Sequence, residues 1–296
     1  MKKIFLLLAL ILLVFTLSGQ SAEKTGSLLW KISGNGLTQP SYIFGTHHAY
    51  PVSFLDSIAG LKEAFASSQQ VVGELVMNDM MAIAFELQRA GMMPPDSTWQ
   101  MLLSEDDYRF VDEQLTAFLG VGLQSLGVLK PSIVSMTYTM VFYQRIFPQI
   151  NPSESMDLWF QQQAASREIS VIGLETVQDQ INAVIFGSLR RQAANLVCAM
   201  RNTDHTEYSA RKLNRLYRTA DLSGLFGMLR EESPCPMSAD QESVFNDVRN
   251  KRWLEKLPAI IADKPSFIAV GALHLPGEVG LLRGLERAGY IVEAVR

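Results

Sequence analysis

The sequence predicts an α/β fold: a mostly parallel central sheet built from two similar β-α-β units, with a large helical insertion. Two segments near opposite ends of the chain carry that expectation. Tyr42-Ile43-Phe44-Gly45-Thr46-His47-His48 and Phe267-Ile268-Ala269-Val270-Gly271-Ala272-Leu273-His274 are each an apolar run, a glycine, two further residues and a histidine. Each run has the length and apolarity of a buried strand, and its glycine marks the break into a loop. A segment of helical spacing and another strand-like run follow each of them, whereas the stretch between is mostly of helical pattern.

Leu28 to Ile32 reads as the first strand, Gly34 to Gln39 as a turn, and Ser41 to Phe44 as the strand feeding Gly45. Phe54 to Ala66 has helical spacing through Leu55, Ile58, Leu61, Ala64 and Phe65, and Val71 to Leu75 returns as a strand. That succession implies a parallel pair, with the strand ending at Glu74 beside the one ending at Gly45. Asp79 to Arg89 is helical and methionine-rich until Pro94-Pro95 stops it. Ser104-Glu105-Asp106-Asp107 resembles a capping box opening a helix to about Leu119, and Pro131 suits the first turn of the next, to Phe147. Leu158 to Ala165 is helical, Ser170 to Leu174 is a strand, and a helix starts at Val177. Residues 182–231 are nearly all helical by pattern, Ser233-Pro234-Cys235-Pro236 is a loop, and Ser243 to Ile261 is helical again. The chain closes with a strand (Ser266 to Val270), a helix (Glu278 to Ala288) and a strand (Tyr290 to Val295). Residues 78–165 lack a strong strand signal and are expected to cap the sheet as a helical lobe.

Lys2 and Lys3 precede a largely apolar stretch, 4–17, and then Ser18, Gly19, Gln20 and Ser21. This is the build of a secretory signal peptide, assigned to 1–22, and it is shorter than the roughly 20 apolar residues that span a bilayer. Residues 23–296 are then expected to form the mature domain, secreted or periplasmic and with no stable membrane span. Gln20 stands where a lipoprotein box would need its acylated cysteine. Loss of the leader takes the formal charge from −4 to −6, with 24 basic against 30 acidic residues. That balance, with no basic cluster interleaved with aromatics, argues against nucleic acid as a partner. Cys198 and Cys235 read equally well as one disulfide or as two unrelated thiols.

Four histidines occur in the chain, and two share the Gly-x-x-His frame. Imidazole at the end of a strand faces the crevice where open α/β sheets bind ligands, and it serves as metal ligand or general base. A carboxylate is the usual third partner, and Glu74 closes the strand Val71-Val72-Gly73-Glu74. The frame selects His48 over His47, because neighbours in extended chain point to opposite sides; His47 is then a supporting group, with an exchange of roles left open. Glu175 closes Val171-Ile172-Gly173-Leu174 in the same manner, as ligand, general base or helix-start acid. Asp157 reads as a helix N-terminal acid and His205 as a surface or capping residue. Arg249 could clamp a carboxylate or steady an oxyanion, although a solvated helix face is the default. Met77, Met80, Met81, Met92 and Met93 read as core filler or as an adaptable wall for an apolar peptide or acyl group.

Taken in order, Leu29-Trp30-Lys31-Ile32, Ile43 to His48, Glu74, Lys130-Pro131, Gly173-Leu174-Glu175-Thr176, Arg249-Asn250 and Val270 to Gly277 make the chain resemble the TraB/GumN family, which includes the Tiki proteases and the pheromone-shutdown proteins. The resemblance covers roughly 28 to 296. It implies a fold similar to erythromycin-esterase-like enzymes, and metal-dependent peptide hydrolysis of the Tiki type with His48, His274 and Glu74 as the essential groups. The expectation is therefore an exported metal-dependent hydrolase, a peptidase, acting on a peptide or small-molecule substrate. His48, Glu74 and His274 would hold a divalent cation (Mn, Co or Zn), while Glu74 or Glu175 takes the proton and Arg249 steadies the oxyanion. The alternatives are a non-catalytic ligand-binding protein of the cell envelope and a metal-independent esterase.

Overall fold

A computed structural model describes residues 26–151 and 154–296; the expected signal peptide lies outside the described residues. Six strands form one sheet: β1 (Leu29–Ser33), β2 (Ser41–Thr46), β3 (Gln70–Gly73), β4 (Ser170–Gly173), β5 (Ser266–Gly271) and β6 (Ile291–Ala294). Their spatial order is β4-β3-β5-β2-β1-β6. The pairs β4-β3, β3-β5 and β5-β2 are parallel, and β1 runs antiparallel to both β2 and β6. The protein is thus mixed α/β with a mostly parallel sheet and a large helical content, as the sequence predicts. β2, β3 and β5 are buried along nearly their whole length, as continuous apolar strands covered on both faces must be.

The pairing departs from the expectation in one respect. β2 and β3 run parallel but are not neighbours, because β5 inserts between them. The two β-α-β units are therefore interleaved, and the two Gly-x-x-His strands lie side by side with Gly45 opposite Val270 and Thr46 opposite Gly271. Gly73 stands opposite both Ala269 and Gly173. All four parallel strands thus end at one edge with a glycine at or beside the last residue.

Phe44 and Phe267 from the sheet pack with Phe65 and Phe160, rings from the helices Leu61–Ser67 and Met156–Ser166. Trp253 and Leu257 of the helix Val248–Asp263 and Leu285 of Leu281–Arg287 are fully buried in the same core. The single helix expected over 54–66 is two pieces, a 3-10 turn Val52–Ser57 and the helix Leu61–Ser67. Gly60, at φ 72°, supplies the left-handed break between them, a conformation that costs glycine nothing.

A second core joins Trp99, Val111, Leu115, Val134 and Tyr138 to Ala193 and Leu196. The helix Met156–Ser166 packs on the sheet, whereas Leu189–Arg201 completes the lobe. Ser104 caps the helix Glu105–Leu119 by accepting from the Asp107 N–H, and Pro131 opens Pro131–Ile146. Cys198 and Cys235 are joined as a disulfide, tying the lobe helix Leu189–Arg201 to the loop at 233–236. Among the described residues no helix is long and apolar enough to cross a membrane.

Gly45 is fixed by close approach. A Cβ there would lie 2.9 Å from Leu275 Cδ1 and 3.0 Å from Ala272 Cα and Cβ, the turn that carries the second histidine. Gly45→Ala should destabilise the fold by about 1–3 kcal/mol through overpacking, read as a lower denaturant midpoint. An unchanged midpoint would show that the contact is slack.

Candidate active site

Glu74 follows β3 directly, Glu175 follows β4 by one residue, and the turn after β5 carries His274. All three side chains are buried, and so is Arg249, the second residue of the helix Val248–Asp263. Arg249 spends every N–H it has. Its Nε and Nη2 grip Glu175 at 3.0 and 2.6 Å, and Nη2 also donates to Glu74 Oε2 at 2.5 Å. Nη1 donates to the Phe245 carbonyl and to His274 Nε2, each at 3.2 Å. The guanidinium also lies over the Trp253 ring, 4.8 Å from its centre. Arg249 is thus neither a solvated face nor a free oxyanion donor. Desolvation opposes its charge, but Glu175 and Glu74 outweigh that and raise its pKa.

A π-helical turn, Ser243–Asp247, leads into this helix and aims it. It places the Phe245 carbonyl under Arg249, and its Asn246 donates to the Leu273 carbonyl beside the histidine. Such turns often accompany functional sites because they re-aim the residues that follow.

The tautomer of His274 follows from its partner. Asn250 gives its amide N–H groups to the carbonyls of His274 and Val279, so its Oδ1 faces His274 Nδ1 as acceptor at 2.7 Å. Nδ1 therefore carries the proton, and Nε2 presents a lone pair 3.8 Å from Glu74 Oε1. Burial lowers the pKa of His274 to about 4, so the ring is neutral at ordinary pH. For Glu74, burial works against ionisation, but His274, Arg249, His48 and the Gly271 N–H together hold it at about 2. That N–H meets Glu74 Oε1 at 2.8 Å, and a Cβ on Gly271 would crowd the same oxygen at 3.2 Å.

His48 stands in a cleft of about 220 Å³ lined also by Glu74, Asp157, Met77, Gln161 and Gln180. Its Nδ1 meets Asp157 Oδ2 at 2.7 Å, and the other Asp157 oxygen accepts from Thr46 Oγ1 at 2.8 Å. The Asp157 carboxylate raises the His48 pKa to about 9, against the opposing effect of desolvation. Two thirds of the side chain still meets solvent, so water screens part of this attraction. His47 turns the other way, against the rings of Tyr217 and Tyr50. Burial, then His48, lowers its pKa to about 4.

The sheet edge thus gathers Glu74, Glu175, Arg249 and His274 into one buried network, with His48 in the cleft that Glu74 also lines. Glu175 is bound through both oxygens. Asp157 does more than begin a helix: it holds His48. Gln161 has no distinguishing sequence signal, and Asn250 has one only as part of the Arg249-Asn250 pair. Gln161 splints the segment after Glu74, donating to the Leu75 carbonyl and accepting from the Met77 N–H. Met77 lines the cleft; Met80, Met81 and Met92 are too exposed to be core filler. His205 lies on the helix Thr203–Arg218 near Ser209, outside this network.

A model of the TraB/PrgY/gumN family matches residues 28–294, from the start of β1 to the end of β6. The chain belongs to this family. No curated protein and no solved structure gives a match. In this TraB/PrgY/gumN protein the matched span includes every residue of the network.

The shifted groups set opposite limbs of the pH–stability curve. Glu74 falls from an ordinary 4.5 to about 2, so its contribution is present above 4.5 and lost as pH drops through 2. His48 rises from 6.5 to about 9, so its contribution is full below 6.5 and lost as pH climbs through 9. Asp157→Asn should flatten the alkaline limb and return the His48 imidazole, followed by NMR in metal-free protein, towards 6.5. A His48 titration unmoved by that change would contradict the assignment.

Proposed function

We propose that the chain is an exported hydrolase, a peptidase, that works with a divalent cation held by His48, His274 and Glu74. One observation carries the reading: both imidazoles are fixed through Nδ1, His48 by Asp157 and His274 by Asn250, at the sheet edge where Glu74 ends its strand. Histidine ligands usually have their second ring nitrogen held in this way. Two Nε2 atoms and a carboxylate are donors that suit Mn, Co or Zn. Two features weigh on the other side. Among the described residues no three His, Cys, Asp or Glu side chains are grouped to hold a metal ion, and Arg249 occupies both His274 Nε2 and Glu74 Oε2. A cation at this edge therefore requires Arg249 to release the imidazole.

When bound, the cation would supply Lewis acidity and a water of lowered pKa. The chain's own groups would do the remainder. Ionised Glu74 would accept the proton of the attacking water in the cleft. Glu175, bound through both oxygens, would hold Arg249 rather than serve as base. Asp157 and Asn250 would keep the two rings oriented. Support for export comes from the leader-like pattern of residues 2–21 and from the Cys198–Cys235 disulfide, a bond of oxidising compartments.

A second reading keeps the hydrolase without the cation, and the position of Arg249 favours it. His48, protonated by its partnership with Asp157, would then deliver a proton to the leaving amine or alkoxide while Glu74 takes one from water.

Elemental analysis of the purified chain, with a peptide-library cleavage assay run with and without chelator, separates the two. The first reading predicts stoichiometric metal, and turnover that falls by about a hundredfold or more in His274→Ala and Glu74→Gln and on chelation. Chelator-insensitive turnover would leave only the second. No turnover under either condition would sink both.

A further inference from the structure

We propose that the pocket behind the His47–His48 loop is a binding site for an oxyanion, the phosphate or carboxylate group of a small ligand. This site is separate from the cleft and does not depend on the chemistry proposed there. The helix Thr203–Arg218 turns Arg211, Arg215 and Arg218 to one face, four and three residues apart. They line a cavity of about 270 Å³ together with Asn214, Tyr50 and Phe147, and no acidic side chain lines it.

Surface arginines are normally solvated one at a time, and in a chain with 30 acidic and 26 basic residues each should find a carboxylate readily. Arg211 has one, Glu207, at 2.7 Å. Among the described residues Arg215 and Arg218 have none. Like charges one helical turn apart repel each other, and an anion between them removes that repulsion. A planar guanidinium also binds phosphate or carboxylate through two parallel hydrogen bonds, so a concave set of three suits such a group.

The remaining wall fits a ligand with a body as well as a charge. Asn214 accepts from Tyr143 Oη at 2.5 Å, so its side-chain amide, a donor through nitrogen, is held at the pocket wall. Phe147 is buried and Tyr50 half-buried, so the pocket offers aromatic surface beside the cations. Tyr50 also packs on His47, 5.7 Å between ring centres. The Nε2 of His47 is buried with no hydrogen-bond partner. The pocket therefore abuts the side of the loop that His47 occupies, one residue from the cleft.

Isothermal titration of the full chain with pyrophosphate and with citrate, at fixed low ionic strength, tests the site. Saturable one-to-one binding of at least one probe is expected. It should weaken about tenfold or more in the Arg215→Glu/Arg218→Glu double variant and stay unchanged in Arg109→Glu, an exposed arginine paired with Asp106. Preference for pyrophosphate assigns the site to phosphate, and preference for citrate to carboxylate. The milder Arg215→Gln/Arg218→Gln pair decides the matter if the charge reversal disturbs folding. Absence of saturable binding, or equal weakening in the Arg109 variant, would overturn the proposal.

Discussion

The buried guanidinium of Arg249 is the constraint on which the candidate site depends. It connects the ends of β3 and β4 to the helix Val248–Asp263 and to the turn after β5 through Glu74, Glu175 and His274. Two carboxylates this close, both out of water, would repel each other without a cation between them. One guanidinium serves both, and its fork geometry lets every N–H reach an acceptor. Breaking such a buried arrangement from one side typically costs about 3–5 kcal/mol, because the remaining charges lose their partner. The same contacts keep Glu74 ionised, while burial, opposed by Glu74 and aided by Arg249, keeps His274 neutral.

The sheet makes that arrangement reachable. Interleaving the two β-α units sets β5 between β2 and β3, so three strand ends from distant parts of the sequence open onto one edge. Glycines at those ends admit close neighbours: the turn carrying His274 against Gly45, and a carboxylate oxygen against Gly271. A side chain at either position would separate groups that the network needs within hydrogen-bond distance. The site is therefore built by backbone approach as much as by its polar residues.

Position along a strand is readable from sequence, so the Gly-x-x-His frames and the terminal acids Glu74 and Glu175 stand out without a structure. Sequence order also gives the parallel direction of β2, β3 and β5. It does not give their neighbours, because adjacency is decided by which long-range pairing buries the apolar faces best, and local pattern says nothing about that. Arg249 illustrates a second limit. Helical spacing places it on a helix, but only tertiary packing shows that its face is covered by Trp253 and two acids. Asp157 looks like any helix-start acid until folding brings His48 to it across 109 positions. Asn250 is legible only as the neighbour of Arg249, and its role in fixing a tautomer is a matter of hydrogen-bond direction.

A double-mutant cycle in urea measures the central interaction most directly. The variants are Arg249→Met, Glu175→Gln and the two combined, each compared with the unaltered chain. If Arg249 is needed because it neutralises buried carboxylates, the double variant should be more stable than Arg249→Met alone, with a coupling of about 1–3 kcal/mol. Losses that simply add would mean that the guanidinium and Glu175 act independently, and the account of the site built on their partnership would be wrong.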